Sequence, residues 1–162
     1  MPPVRRVVLG LLLSVLVVAG CGVVSTTPPA PTPANFPDLA GGLVLSGVKI
    51  DHVVAGDAGC TDANLIPTAI SFEASGLDQA ETVKLYLYVF RNAAVFEKKR
   101  QTVDTCAERY VTDASTFESI DQSPYVLTGQ GPWGQAFEAA IRAGLAKAAG
   151  NGGNGGGGGD GM

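Results

Sequence analysis

Nine residues, TVKLYLYVF at 82–90, constrain the fold of this chain more than any other stretch. Side chains alternate across a strand. Val83, Leu85, Leu87 and Val89 therefore share one face, and Lys84, Tyr86, Tyr88 and Phe90 the other. Both faces are substantially apolar, which fits a central strand or one with an unusual exposed surface. The flanks confine the core that could surround it. STTPPAPTPANFP (25–37) is rich in Pro, Thr and Ala. It predicts a semi-rigid tether of about 3.1 Å per residue wherever it is polyproline II. GNGGNGGGGGDG (150–161) has no side chains able to bury area and predicts a flexible tail. Residues 41–149 remain, enough for one domain with a single core. No internal repeat of solenoid or propeller length is present.

Other segments of the domain carry clear periods. VLSGVKIDHVV (44–54) places Val44, Val48, Ile50, His52 and Val54 on one face, Lys49 and Asp51 on the other, a half-buried strand. TAISFEA (68–74) alternates likewise, with Ile70, Phe72 and Ala74 inward. In 92–111, Asn92 is a suitable N-cap. Phe96, Val103, Cys106, Ala107 and Tyr110 follow it at helical spacing. STFE (115–118) has capping-box spacing for one short turn, and PYVLTG (124–129) reads as a short fourth strand. The last helix has Pro132 in its first turn and Gly150 past its end. Its stripe is Trp133, Phe137, Ile141, Leu145 and Ala148. The order β-β-β-α-β-α predicts an α+β domain. Its mostly antiparallel sheet has about four strands, the first three adjacent, with both helices packed on one face.

The N-terminus supplies an address. Arg5 and Arg6 precede a run (7–19) with no charge and one polar residue, Ser14. This is the n-region and h-region of a signal peptide, too short for the roughly 20 residues of a membrane span. It ends Val18-Ala19-Gly20-Cys21, which resembles the lipobox of bacterial lipoproteins over about the first 21 positions. The resemblance implies diacylglyceration of Cys21, cleavage before it, and usually a further N-acyl chain. Two or more chains anchor a protein stably where one does not. Gly22 in place of aspartate favours the outer membrane in a two-membrane cell. The expected organisation is a signal peptide (1–20), a tether (21–40), one domain (41–149) and a Gly-rich tail (150–162). The protein would then be held in the cell envelope, facing the periplasm or the exterior.

With Cys21 lipidated, Cys60 and Cys106 remain, an even pair that predicts a disulfide in an oxidising compartment. No C-x-x-C occurs, and one histidine cannot complete a zinc site with them, so no metal or cofactor is expected. The formal charge of −4 includes Arg5 and Arg6, and their removal leaves −6. Such a chain lacks the cationic surface that neutralises phosphates, which argues against nucleic acid.

No catalytic constellation stands out. His52 is the only histidine, and in a regular strand Asp51 beside it points to the opposite face. The carboxylates Glu73, Asp78, Glu81, Asp104, Glu108, Glu118 and Asp121 show no spacing that singles out a pair. GQGPWG (129–134) opens a helix. It reads as a loop-to-helix joint anchored by Trp133, or as an anion site on free helix N–H groups. DASTFESIDQS lacks the order of a calcium loop. The row Tyr86, Tyr88 and Phe90 is the candidate recognition surface, since tyrosine combines apolar area with a hydroxyl. The alternative for that row is core. The expected function is a lipid-anchored, non-enzymatic binding or interaction domain for an unknown ligand or envelope protein. The competing readings are a small envelope hydrolase using His52, and a structural or inhibitory protein presenting loop 57–64 or 112–123.

Overall fold

The structure, a computed structural model, describes residues 36–150. Helix α1 (Phe36–Leu45) leads into strand β1 (Lys49–Ala55). A long loop ends in a 3₁₀ turn (Ile66–Thr68) before β2 (Ala69–Gly76) and β3 (Gln79–Val89). Helix α2 (Ala93–Ala107) follows, then a second 3₁₀ turn (Ala114–Thr116), β4 (Phe117–Gln122), β5 (Tyr125–Gln130) and helix α3 (Gln135–Ala148). The five strands form one sheet in the order β1-β2-β3-β5-β4, and every neighbouring pair is antiparallel. The α+β class, the antiparallel sheet and the adjacency of the first three strands are as the sequence predicts.

The helices do not share a face. Leu85 and Leu87 of β3 pack with Leu39 and Leu43 of α1 and with Phe137, Ile141 and Leu145 of α3. Tyr86, Tyr88 and Phe90 pack with Phe96, Val103 and Cys106 of α2. The sheet is thus a middle layer, which corrects the expectation of both helices on one side. The physical reason lies in β3 itself. Two apolar faces of a central strand must each be covered, and a single helical layer covers one.

Two elements escaped the sequence reading. The first is α1, which begins at Phe36, inside the stretch expected to be tether, and buries Leu39 and Leu43. Phe36, Leu39 and Leu43 have helical spacing, but Gly41-Gly42 weaken the local signal, and Pro37, which a first helical turn accepts, follows directly on the Pro-rich stretch. Val44 therefore ends a helix rather than starting a strand. The second is β4. The short turn expected at 115–118 is a 3₁₀ turn capped by the Asp113 side chain, and Phe117 onward is extended. The hairpin between β4 and β5 contains the cis Ser123–Pro124 bond.

The predicted Asn92 cap forms, its side chain accepting from the Val95 N–H at 2.9 Å. Gly150 closes α3 with φ +79°. No helix among the described residues is long and apolar enough to cross a membrane.

Candidate functional site

A cleft of about 440 Å³ opens on the α2 side of the sheet, beside the half of β3 where Thr82 and Lys84 are exposed. Glu81, Thr82, Lys84 and Tyr86 contribute from β3, Tyr110 from the segment after α2, and Gln130 from the end of β5. The alternation of β3 sends 82, 84 and 86 to one face, so the same period that builds the core supplies the cleft floor.

Lys84 is held from two sides. Its Nζ donates to Asp57 Oδ2 at 2.9 Å and lies 5.1 Å from the Tyr86 ring centroid. The hydrogen bond to Asp57 raises its pKa, so Lys84 is a fixed cation rather than a base. For Asp57, partial burial works to raise the pKa. Hydrogen bonds from Lys84, from the Ser71 hydroxyl (2.7 Å) and from the Gly59 N–H (3.0 Å) outweigh it and hold the carboxyl low. The pair is largely neutral, so the cleft face of β3 carries a compensated charge.

A hydroxyl chain runs beneath. Tyr88 donates to the Ala58 carbonyl at 2.8 Å, and its oxygen lies 3.3 Å from that of Tyr110. Tyr110 in turn shares a 2.5 Å hydrogen bond with Thr128. Burial pushes the pKa of both tyrosines up. The Tyr110 ring stacks on Tyr86 with centroids 4.0 Å apart.

Loop 56–65 seals this arrangement. Gly59 has φ +69°, and a Cβ there would meet Tyr110 Cε1 at 2.7 Å and Tyr86 Cε1 at 2.8 Å. Cys60 is disulfide-bonded to Cys106 of α2, with Cα atoms 5.5 Å apart, as the sequence predicts.

The expected recognition row is therefore mostly core. Tyr88 and Phe90 are buried under α2 and the 56–65 loop, and Tyr86 alone of the three reaches the cleft. Tyr110, Lys84 and Asp57 were not foreseen as site residues. Asp57-x-Gly59 is a recognisable Asx turn, but its contact with Lys84 spans 27 positions and depends on the fold.

The other chemical candidates have structural partners. His52 sits at a bulge in the edge strand with φ +49°. Its side chain is 69% exposed, with Nδ1 3.1 Å from Glu73 and 3.7 Å from Asp51. The bulge corrects the expectation that Asp51 faces away, because strict alternation fails there. Asp78 accepts from the Ala136 and Phe137 N–H groups at 2.8 Å, and Gln79 accepts from Gly134. The N-terminus of α3 is thus already filled by protein groups, and GQGPWG is the joint rather than the anion site. Asp104 and Asp121 both bind Arg100. Loop 57–64 is tied down by the disulfide, and 112–123 is largely 3₁₀ turn and strand rather than a protruding loop. Among the described residues, no group of three or more His, Cys, Asp or Glu side chains could hold a metal ion.

No protein-family model, no curated protein and no solved structure matches the chain.

Proposed function

We propose that this chain is an extracytoplasmic, lipid-anchored lipoprotein whose domain binds a small, hydroxyl-rich, uncharged ligand in the cleft beside Lys84 without transforming it. The observation that carries the reading is the Asp57–Lys84 pair at the cleft wall. It offers spare ammonium N–H donors next to the Tyr86–Tyr110 stack, while its charge is already compensated. Donors and aromatic area without a strong net field suit a hydroxyl-bearing ligand better than an anion. A disulfide in the core agrees with an oxidising compartment. The lipobox at 18–21 lies outside the described residues and rests on the sequence resemblance alone.

The test has two arms. Mass spectrometry of the N-terminal peptide should find acyl chains on Cys21, absent in Cys21→Ser. Thermal-shift screening of the unlipidated Cys21→Ser chain against mono- and oligosaccharides and polyols should yield a stabilising compound. At 100 times its Kd, such a compound adds about 2.7 kcal/mol. The shift should vanish in Lys84→Met, which keeps the aliphatic stem and removes the ammonium donors. A hit retained by that variant, or hits confined to anions, would sink the cleft assignment.

A further inference from the structure

Three aliphatic side chains stand out at one tip of the molecule. Leu45 is 91% exposed, Val44 54% and Leu77 50%. Val44 and Leu45 end α1, and Leu77 lies in the turn joining β2 to β3. The two segments touch. A Cβ on Gly47 would meet Leu77 Cδ2 at 3.0 Å, and one on Gly76 would run into the Gly47 carbonyl. Residues 44–47 and 76–77 (VLSG and GL) carry no charge in a chain that is otherwise acidic. The adjoining Asp78 carboxylate is turned into the N-terminus of α3.

Leu77 is the informative residue. Its φ is +55°, a conformation that asparagine or glycine adopts readily and leucine does not. A leucine that is both strained and half-exposed satisfies neither backbone preference nor solubility. Outliers of this kind point to a use at that place.

We infer that this tip is a second membrane contact, inserting Leu45, Val44 and Leu77 into the interface of the bilayer that holds the anchor. The inference rests on the lipoprotein reading. Fourteen residues separate Cys21 from Phe36. Fully extended they span at most about 50 Å, and α1 adds about 15 Å. An anchored domain therefore stays within reach of the lipid surface, so a weak contact operates at high effective concentration. A stable protein interface buries about 800 Å² per partner, and three aliphatic side chains at a turn supply only a fraction of that. Bilayer insertion needs apolar area without charge on the inserted residues, which Val44, Leu45 and Leu77 provide, while Lys49, exposed at the start of β1 beside Gly76, is a long cation that can stay at the headgroups.

The test couples the chain from Cys21 to Met162, through the Cys21 thiol, to a maleimide phospholipid in phosphatidylcholine vesicles. This supplies an anchor whether or not the cell does. Leu45→Trp is the probe, with the emission of the parent chain, from Trp133, subtracted. Brominated phosphatidylcholine should quench the probe, and should not quench Thr105→Trp on α2. Adding Leu77→Asn should lower the ratio of docked to undocked chains about tenfold, while raising the melting temperature because the strain is relieved. The double effect separates lost docking from lost folding. Equal quenching at positions 45 and 105 would overturn the inference. So would a vesicle-independent blue shift that grows with chain concentration, which would make a second copy the occupant. Missing acyl chains on native Cys21 would instead defeat the lipoprotein reading and leave the vesicle result standing.

Discussion

Gly59 shows how much one residue can decide. Its positive φ and the two tyrosine rings above it leave no room for a side chain. Gly59→Ala should cost about 2 kcal/mol or more, from backbone strain plus displacement of the Tyr86–Tyr110 stack. Urea unfolding would measure it, and a neutral result would mean the loop can lift off freely. Asp78 acts at a distance in sequence, capping a helix that begins 57 positions later. The N–H groups of Ala136 and Phe137 hold its pKa below the ordinary value. A depressed carboxyl stabilises the fold above its unfolded pKa of about 3.9, and that contribution disappears as pH falls through the folded value. Asp78→Asn should therefore lower the melting temperature at pH 7 and make it less sensitive to pH below about 4. Equal acid sensitivity in both chains would contradict the assignment.

At the level of elements, α1 carries a sharp internal contrast. Leu43 is buried against α3, where a Cβ on Gly144 would meet Leu43 Cδ2 at 2.5 Å. Its neighbour Val44 is exposed. Leu43→Ala should cost about 2–5 kcal/mol by opening a cavity, whereas Val44→Ala should stay within about 0.5 kcal/mol. Comparable losses in the two variants would show that α1 packs differently. On the other side of the sheet, Arg100 joins α2 to β4 through Asp121 (2.5 Å) and Ser119 (3.0 Å). Helix α2 is thus positioned by polar contacts at its middle and by the disulfide near its end.

Across the whole molecule, the Cys60–Cys106 bond closes a loop with a sequence separation of 46 that includes β2, β3 and most of α2. In the chain-entropy model, its loss costs about 4 kcal/mol, a large share of the 5–15 kcal/mol available to a domain. Cys60→Ser/Cys106→Ser, or the parent chain in excess dithiothreitol, should show a drop of that order in unfolding free energy. A drop below about 1 kcal/mol would mean the 56–65 loop is held well enough by Asp57 and the Tyr88–Ala58 hydrogen bond alone.

Local patterns in the sequence were enough for β2, β3, β5, both long helices, the Asn92 cap and the disulfide, because each depends on a period, a cap or a parity that neighbouring residues express. The same patterns show that β3 is apolar on both faces. They leave open where its covers come from, since the choice between one helical layer and two depends on contacts between segments far apart in the chain. Helix α1 was hidden for a related reason: Gly41 and Gly42 lower its intrinsic helicity, and Leu39 and Leu43 become a stabilising stripe only once α3 is opposite. The cleft is likewise a product of tertiary structure. Lys84 and Tyr86 are adjacent in alternation, but Asp57, Tyr110 and Gln130 reach them from other elements. Period and parity are local and legible in a single sequence. Which face is covered, and where it is left open, is decided only when distant segments compete for the same apolar surface.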